Sequence, residues 1–345
     1  MRTDSFDYPL PPDRIAQTPL AERDASRMLH LEAGGSMSDH VFTELPSLLR
    51  PGDLLVANDT RVRRARLRGS DDRGRAVELL LLEHIGGDDY VCLGRPARRL
   101  APGARIRFGS GLSATVVARD EGGHLGRRTV RLHAAGGDIE RALLDHGEAP
   151  VPPYIHALPA DPARYQTVYA AGASESAAAP TAGLHFTDRV LDELRRRGVG
   201  WTTVRLDVGL GTFAPMRTGR VDEHVMHRER YAVSATAAAA IASTRRNHGR
   251  VVAVGTTVVR VLESCAGADG DPRIGSGSTD LFIRPGHEFR AVDGMLTNFH
   301  QPRSTLLVLL AAFTGERWRD AYAHALAGGY RFLSFGDCML CWRQA

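Results

Sequence analysis

Short polar stretches of this 345-residue chain carry the side chains best suited to chemistry. Residues 180–186, PTAGLHF, place a threonine, a glycine and a histidine immediately before a helical pattern. Residues 223–229, EHVMHRE, carry two histidines three positions apart, flanked by carboxylates. Histidine titrates near neutral pH, and its ring nitrogens also donate and accept hydrogen bonds. Both stretches are therefore candidates for proton transfer or for the wall of a ligand pocket.

A metal site is the alternative use for the paired histidines and cysteines. Zinc needs three or four protein ligands, and helical zinc motifs usually place two histidines four positions apart, a spacing that His224 and His227 lack. The C-x-x-C of Cys338 and Cys341 has no second pair and no helix start after it. We therefore expect hydrogen-bonding histidines, buried thiols and no metal.

Further polar stretches follow predicted strands. They are NDTR at 58–61, GLGTF at 209–213, GTT at 255–257 and TNFHQP at 297–302. The glycines of GLGTF permit close backbone approach to a ligand, but a dinucleotide fingerprint needs a third glycine, so nicotinamide binding is not expected. The GTT stretch opens a helix whose free N–H groups can bind a carboxylate or phosphate, and Arg260 follows one turn later.

Alternating helical and strand patterns must position these stretches. Helices are predicted over 189–197, 235–248 and 257–266, strands over 54–57, 201–210 and 250–255, and N-caps at Asp188 and Ser304. This alternation predicts an α/β layer with a largely parallel sheet. Open α/β sheets bind ligands beyond the carboxyl ends of their strands, which is where the polar stretches lie. The sequence therefore predicts a ligand-binding cleft at that edge.

A basic segment interrupts the α/β pattern. Residues 61–133 hold 16 arginines against 8 acidic residues, whereas the net charge of the whole chain is only +4. Short alternating runs, separated by Gly, Asp and Pro turns, cover 76–82, 90–93, 105–108 and 114–117. Such runs are typical of a small β-barrel.

These patterns together predict an α/β domain, residues 1–61 and 139–345, interrupted by an inserted β-barrel domain over 62–138. The chain contains no lysine, which excludes a Schiff-base or lysine-nucleophile mechanism. The longest apolar run, 306–313, is too short to span a membrane, and the N-terminus lacks a signal-peptide pattern. We expect a cytoplasmic monomer or small homo-oligomer with no membrane partner.

Nine motifs, taken together, resemble those of the S-adenosylmethionine:tRNA ribosyltransferase-isomerases of queuosine biosynthesis. They are NDTRVRRARLRG (58–69), PVPPYI (150–155), YQTVYA (165–170), AAPTAGLHF (178–186), DVGLGTF (207–213), EHVMHRERY (223–231), AVGTTVVRVLES (253–264), TNFHQPRSTL (297–306) and YRFLSFGD (330–337). The matches run in order along almost the whole chain. That family is built from an α/β domain with an inserted β-barrel, the arrangement predicted above from the patterns alone.

The resemblance implies an unusual reaction. Enzymes of this family transfer the ribosyl group of S-adenosylmethionine to the amine of 7-aminomethyl-7-deazaguanine in the tRNA wobble position. They isomerise it to give epoxyqueuosine, and release adenine and methionine. The resemblance therefore implies S-adenosylmethionine as co-substrate, no further cofactor, and tRNA as partner. The chemistry needs a base for a ribose 5′ proton, a proton donor for departing adenine and a clamp for the aminoacyl group.

The matched motifs also imply candidate residues for each role. The implied catalytic residues are His185, His227 and Asp207. The implied substrate-binding residues are Asn58, Asp59, Thr60, Arg61, Thr181, Gly183, Phe186, Gly209, Gly211, Thr212, Phe213, His224, Glu229, Thr256, Thr257, Arg260, Asn298 and His300. The candidate tRNA-binding residues, taken from the basic barrel as a whole, are Arg64, Arg66, Arg98 and Arg99. Within these sets, Thr181 is assigned to adenine or ribose, and Thr256 and Thr257 with Arg260 to the methionine carboxylate.

Three positions depart from the pattern of that family. The family usually has histidine where Asp207 stands, serine or threonine where Val258 stands, and tyrosine where Arg284 stands. A carboxylate thus replaces an imidazole on the polar face of a predicted strand. The same reaction with a carboxylate base is the first hypothesis. The alternatives are a paralogue that uses S-adenosylmethionine on a small-molecule acceptor and an inactive tRNA-binding protein.

Overall fold

The computed structural model describes residues 1–119, 127–156, 159–172, 174–209 and 215–344. Contacts divide the chain into a sheet unit, residues 1–60, 152–172 and 179–345, and a barrel unit, residues 61–151 and 173–178. The barrel unit is longer than the 62–138 expected for the insertion. The helix that begins at Ile139 buries Ala142 and Leu143 in the core of the barrel, so it belongs to this unit.

The strands, in chain order, are β1 (Arg27–Leu31), β2 (Met37–Val41), β3 (Leu54–Asn58), β4 (Arg61–Val62), β5 (Arg66–Asp71), β6 (Ala76–Gly86), β7 (Asp89–Arg95), β8 (Arg105–Arg107), β9 (Leu112–Arg119), β10 (Arg127–Ala134), β11 (Ser174–Ser176), β12 (Gly200–Leu206), β13 (Glu229–Val233), β14 (Val251–Val254), β15 (Gly275–Thr279), β16 (Gly294–Asn298) and β17 (Cys338–Trp342). The α-helices are α1 (Leu45–Leu48), α2 (Ile139–His146), α3 (Asp188–Arg196), α4 (Ala235–Arg246), α5 (Thr256–Cys265), α6 (Thr305–Thr314) and α7 (Arg317–Ala327). A 3₁₀ helix, Thr181–His185, precedes α3.

The sheet unit is built on the strand order β15-β13-β12-β3-β14-β16-β17-β1-β2. The four neighbours β12, β3, β14 and β16 are parallel, as is the β1–β17 pair, while the remaining pairs are antiparallel. The predicted α/β class is confirmed, with parallel pairing concentrated at the centre of a mixed sheet. Parallel neighbours need crossover connections such as α4 and α5, and the outer strands pair antiparallel.

The centre of the sheet is parallel because its strands are apolar throughout. β3 and β14 read LLVAN and VVAV, and every one of their residues is buried, as expected for strands covered on both faces. The predicted strand 201–210 is shorter than expected and ends at Leu206. The predicted helices are confirmed as α3, α4 and α5, each within two residues at either end.

The starts of α3 and α6 depend on small hydroxyl side chains. The prediction that Asp188 caps α3 is wrong, because Thr187 is the N-cap and its Oγ1 accepts from the N–H of Val190 at 3.3 Å. The predicted cap at Ser304 is confirmed, with its Oγ accepting from the N–H of Leu307 at 3.2 Å. Both hydroxyls satisfy an N–H group that has no acceptor within its own helix.

The barrel unit closes in the order β10-β7-β6-β5-β8-β9. Along β6, the buried side chains Val77, Leu79 and Leu81 alternate with more exposed ones, so one face of each strand fills the barrel. The strands predicted from alternating runs are thereby confirmed. β4 and β11 form a separate parallel pair within this unit.

The cysteines are buried thiols, as expected. Cys338 and Cys341 lie on β17, an inner strand of the sheet, and are fully buried. Burial raises the pKa of both thiols. Among the described residues, no group of three His, Cys, Asp or Glu side chains is arranged to hold a metal ion. No helix in the described part of the chain is long and apolar enough to cross a membrane.

Candidate active site

A cleft of about 590 Å³ opens at the carboxyl ends of the parallel strands in the sheet unit. Its walls come from the residues around the start of the 3₁₀ helix 181–185, from the start of α5, and from the end of β16 and the residues that follow it. The lining includes Tyr154, Thr181, Val208, Thr256, Thr257, Asn298, His300, Gln301 and Ser334. Concave sites with a few convergent polar residues at the carboxyl ends of parallel strands are where α/β sheets bind ligands. The predicted residues Thr181, Thr256, Thr257, Asn298 and His300 therefore lie together.

Several polar groups in the cleft are buried without a protein partner. Thr257 Oγ1, Asn298 Oδ1 and Gln301 Oε1 have no hydrogen-bond partner among the described residues. At the start of α5, Gly255 has a φ of 92°, which glycine adopts without strain, and it turns the chain from β14 into the helix. Buried polar groups are normally satisfied, so these atoms indicate where a bound ligand supplies the missing partner.

His185 orients one of those groups, the side-chain amide of Asn298. Asn298 Nδ2 lies 3.0 Å from the carbonyl oxygen of Leu333 and 3.3 Å from His185 Nε2. Only the amide nitrogen can donate to a carbonyl, so Nδ2 faces Leu333, and His185 Nε2 accepts. His185 Nδ1 then carries the proton and donates to Ser26 Oγ at 2.7 Å. Asn298 Oδ1 is thereby left for a ligand.

The environment of His185 keeps its ring neutral. Burial lowers its pKa to about 4, against a raising effect from Asn298, and the charges of Arg23 and Arg331 lower it further. Both ring nitrogens already have neighbours, and His185 is not among the residues that line the cleft. This arrangement suits a positioning residue better than the proton carrier that the sequence suggested.

His300 is held similarly inside the cleft wall. Its ring Nε2 lies 3.0 Å from Thr297 Oγ1. Its backbone N–H donates to the hydroxyl of Tyr322, and its backbone carbonyl oxygen accepts from the hydroxyl of Tyr8. Burial lowers the pKa of His300 to about 3, so the ring is neutral at physiological pH. His300 can offer a ligand hydrogen bonds but no charge.

A second polar cluster lies at the ends of β3 and β12. The side-chain amide of Asn58 makes two hydrogen bonds with the backbone of Leu206. Its Nδ2 donates to the carbonyl oxygen at 3.0 Å and its Oδ1 accepts from the N–H at 3.1 Å, which holds the two strand ends together. Thr60 donates to Asp207 Oδ1 at 3.3 Å, and Arg230 Nε lies 3.7 Å from Asp207 Oδ2. Asp207 immediately precedes Val208 of the cleft wall but does not itself line the cleft.

Asp59 lies in the same cluster and is held by two side chains. Its Oδ2 accepts from Thr203 at 2.8 Å, and Arg205 approaches Oδ1 at 3.7 Å. Asn58 is fully buried, whereas Asp59 is half-buried. The predicted loop therefore organises the strand ends.

Glu229 and Arg260 form a buried ion pair with each other. Glu229 Oε2 pairs with Arg260 Nη1, Glu229 Oε1 accepts from the N–H of Gly209 at 2.8 Å, and both side chains are under 5% exposed. Arg260 Nε also donates to the carbonyl of Leu281 at 3.2 Å. Because its charge is already matched by Glu229, Arg260 is poorly placed to hold a methionine carboxylate. The pair instead anchors the backbone at Gly209.

Other predicted positions serve packing or lie at the surface. A Cβ on Gly183 would lie 1.9 Å from the Tyr169 hydroxyl, and Phe186 is fully buried against Phe42 and Trp201.

His224 is half-buried beside the ring of Phe282, while His227 is exposed. Burial and the neighbouring charge of His227 lower the pKa of His224. Gly211, Thr212 and Phe213 lie outside the described residues.

The three residues that depart from the family pattern differ in burial. Asp207 is half-buried and directly precedes a residue of the cleft wall, whereas Val258 is fully buried within α5 and contributes to packing. Arg284 is exposed, with its guanidinium 5.7 Å from the ring centre of Phe282. Of these departures, only Asp207 changes the chemistry available beside the cleft.

The predicted tRNA-binding arginines of the barrel unit are used in different ways. Arg64 donates to the carbonyl of Leu144 at 2.6 Å, Arg66 to Val151 at 2.9 Å and Arg99 to Ala76 at 2.6 Å. Arg98 is exposed and has no hydrogen bond or ion pair with any described residue. Arg61 is also exposed and belongs to β4. Arg98 is therefore the best placed of the predicted four to contact a phosphate.

Three residues of the site were missed by the sequence reading. Tyr154 and Ser334 share a hydrogen bond of 2.8 Å in the cleft wall, and Ser26 holds His185. Tyr154 and Ser334 fall inside matched motifs, PVPPYI and YRFLSFGD, which was the available signal. Ser26 lies outside every motif and is brought to His185 by the fold alone.

Comparisons with known proteins agree with the architecture. A family described as Queuosine biosynthesis protein matches residues 3–341. An S-adenosylmethionine:tRNA ribosyltransferase-isomerase of Moorella thermoacetica is 52% identical over 99% of both chains, and one of Anaeromyxobacter dehalogenans is 51% identical over the full length of both. The solved S-adenosylmethionine tRNA ribosyltransferase of Thermotoga maritima is 35% identical, with a TM-score of 0.55 over 97% of this chain and 99% of its own. The chain belongs to the queuosine biosynthesis protein family.

Proposed function

We propose that this chain is an S-adenosylmethionine:tRNA ribosyltransferase-isomerase. It transfers and isomerises the ribosyl group of S-adenosylmethionine onto 7-aminomethyl-7-deazaguanine in the tRNA wobble position, and releases adenine and methionine. Relatives about 50% identical over nearly their full length are named S-adenosylmethionine:tRNA ribosyltransferase-isomerases, which supports this reaction and favours tRNA over a small-molecule acceptor.

The observation that carries the proposal is the set of unpartnered polar atoms in the cleft. Thr257 Oγ1, Asn298 Oδ1 and Gln301 Oε1 belong to residues that line the cleft at the ends of the parallel strands. Buried polar groups normally have partners, so these atoms are candidate contacts for a bound ligand. S-adenosylmethionine offers a base, a ribose and an aminoacyl group, which need several polar partners.

The methionine carboxylate of the donor binds at the start of α5. The N–H groups of Thr256 and Thr257 have no hydrogen-bond acceptor among the described residues, and both residues line the cleft. A helix N-terminus favours a negative charge through these N–H groups and the helix dipole. Thr257 Oγ1 adds a third donor. Thr181 and Asn298 then face the adenosine part of the donor.

Asp207 accepts the ribose 5′ proton. The sulfonium acidifies that proton, and a carboxylate next in sequence to the cleft wall is the candidate to remove it. Thr60 fixes the orientation of the carboxylate by donating to Oδ1 at 3.3 Å. In this assignment, a carboxylate base takes the place of the histidine that the family usually carries. His185 and His300 contribute as neutral hydrogen-bonding groups.

The products distinguish this reaction from its alternatives. The protein is incubated with S-adenosylmethionine and a tRNA that carries the modified guanine, and the products are analysed by mass spectrometry. Adenine, methionine and epoxyqueuosine in equal amounts are expected. Formation of S-adenosylhomocysteine would instead indicate methyl transfer. A lack of both adenine release and epoxyqueuosine with the modified tRNA would favour a small-molecule acceptor.

A further inference from the structure

A second cavity, of about 310 Å³, lies in the sheet unit beside the cleft. Its walls include Arg23, Arg164, His185 and Ser334. Ser334 lines both cavities, so the second cavity adjoins the proposed donor site. We call it the arginine pocket, because Arg23 and Arg164 stand in its wall. A third arginine, Arg331, does not line the pocket but lies near enough to His185 in its wall to lower the pKa of that ring.

Backbone carbonyls hold the three guanidinium groups in place. Arg23 donates to Ala163 and Leu184 at 2.9 and 3.3 Å, Arg164 donates to Leu20 and Ala21 at 2.6 and 2.9 Å, and Arg331 donates to Thr18. Each guanidinium retains further N–H groups, and Arg164 Nε and Arg331 Nη1 have no acceptor among the described residues. The arginines are therefore rigid while part of their donor capacity remains unused.

The positive charge of the arginine pocket is not neutralised by an ion pair. No carboxylate in the described part of the chain lies within 4.0 Å of these three guanidiniums. Asp161 and Asp337 act on them only at longer range, and both Asp337 oxygens already accept backbone N–H groups, from Arg27 and Arg331. Burial and the charge of Arg164 lower the pKa of Arg23, as expected for like charges held near each other.

We propose that the arginine pocket binds a backbone phosphate of the tRNA, next to the nucleotide that is modified. The proposal rests on the proposed function. Rigid guanidinium groups match a phosphate in charge and geometry. The methionine carboxylate already has a site at the start of α5, so the pocket is free for another anion. Its position beside the cleft places that phosphate close to the reacting amine.

The test compares Arg164→Gln with a matched control, Arg246→Gln. Arg246 is an exposed residue at the end of α4 with no partner among the described residues. The Kd for tRNA is measured for the wild type and both variants across a range of salt concentrations. We expect Arg164→Gln to weaken tRNA binding about tenfold, since one charged contact is lost, and to reduce the log–log salt slope by about 0.7 to 0.9. S-adenosylmethionine binding and the control should be unchanged.

A charge-preserving variant and a modified RNA distinguish the loss of a phosphate contact from a failure of the variant to fold. Arg164→Lys should retain most of the salt slope. An anticodon stem-loop with a single neutral methylphosphonate, placed beside the modified nucleotide, should bind the wild type more weakly. It should lose little further affinity with Arg164→Gln, because both changes remove the same contact.

Three outcomes separate the possible conclusions. Loss of S-adenosylmethionine affinity with an unchanged tRNA salt slope would overturn the proposal and assign the pocket to the donor carboxylate. Fully additive effects of Arg164→Gln and every methylphosphonate position would overturn it as well. Absence of tRNA binding by the wild type at low salt would instead refute the proposed function.

Discussion

His185 and Asn298 share a hydrogen bond of 3.3 Å that fixes the orientation of the asparagine amide. The donor is Asn298 Nδ2, which also bonds the carbonyl of Leu333, so Asn298 Oδ1 is directed away from both. Ser26 completes the arrangement by accepting from His185 Nδ1 at 2.7 Å. A neutral imidazole thus positions the oxygen that we propose contacts the ligand, and we expect the ring's protonation state to affect both stability and activity.

Lowering the pH is expected to destabilise the protein through His185. Its pKa is lowered in the folded state from 6.5 to about 4, mainly by burial, so only the unfolded chain takes up a proton between these values. His185 should therefore make its full contribution to the free energy of unfolding above pH 6.5. That contribution should fall by on the order of 3 kcal/mol as the pH drops from 6.5 to 4. Chemical denaturation at several pH values measures this. His185→Gln should show a shallower fall over that window.

Replacing His185 should also lower activity without abolishing folding. In His185→Gln, the Asn298 amide loses a specific acceptor, so we expect a weaker fit to the donor and a kcat reduced about tenfold or more. The readouts are KM for S-adenosylmethionine, kcat, and thermal stability at pH 8. A variant as active as the wild type would contradict the positioning role.

Breaking the Glu229–Arg260 pair is expected to destabilise the sheet unit strongly. Either Glu229→Gln or Arg260→Met leaves a buried charge or donor without its partner, at a cost of about 3 to 5 kcal/mol. The double variant should be more stable than the sum of the single effects predicts. Denaturant unfolding of all four proteins measures the coupling. Additive effects would show that the two side chains act independently.

Asp207 is expected to act in catalysis and to matter little for donor binding. Asp207→Asn should lower kcat by about 10² to 10⁴, the range for loss of a general base, while the Kd for S-adenosylmethionine stays within a few-fold. Asp207→His provides the informative comparison, since imidazole acts as a base only above its pKa near 6.5. Its activity should therefore rise with pH through neutrality. Full activity of Asp207→Asn would exclude the role.

Thr257 is expected to contribute to donor binding through its hydroxyl. Thr257→Val keeps the shape and removes Oγ1, so a bound carboxylate loses one donor at about 1 to 3 kcal/mol. The KM for S-adenosylmethionine should rise about five- to a hundredfold. Thr257→Ser, which retains the hydroxyl, serves as the control and should stay near the wild type. Equal behaviour of the two variants would place the carboxylate elsewhere.

Chelation is expected to leave activity unchanged. The described residues contain no cluster that could hold a metal, and the proposed reaction draws its acid–base chemistry from protein side chains. Activity is measured before and after dialysis against EDTA in a buffer with matched ionic strength. Loss of activity that returns with added zinc would refute this expectation.

Local features of this protein could be predicted from its sequence because they depend on neighbouring residues. The periodicity of β6 and α5 and the glycine before α5 are local patterns, so the elements and the strand–helix junctions were found. The basic composition of the inserted segment likewise indicated a separate unit. The cap of α3 was misplaced by one residue because Thr187 and Asp188 are both good capping residues, and only the backbone geometry selects one.

The roles of the site residues depended on contacts between distant parts of the chain. His185 resembled an acid–base residue in the sequence, but burial beside Ser26 and Asn298 makes it a neutral positioning group. Arg260 resembled a carboxylate ligand until Glu229, 31 positions away, proved to be its partner. The arginine pocket joins side chains far apart in sequence, and its charge exists only because folding brings them together away from carboxylates. Tertiary structure decides such roles because the strength and even the sign of an electrostatic effect depend on burial and distance.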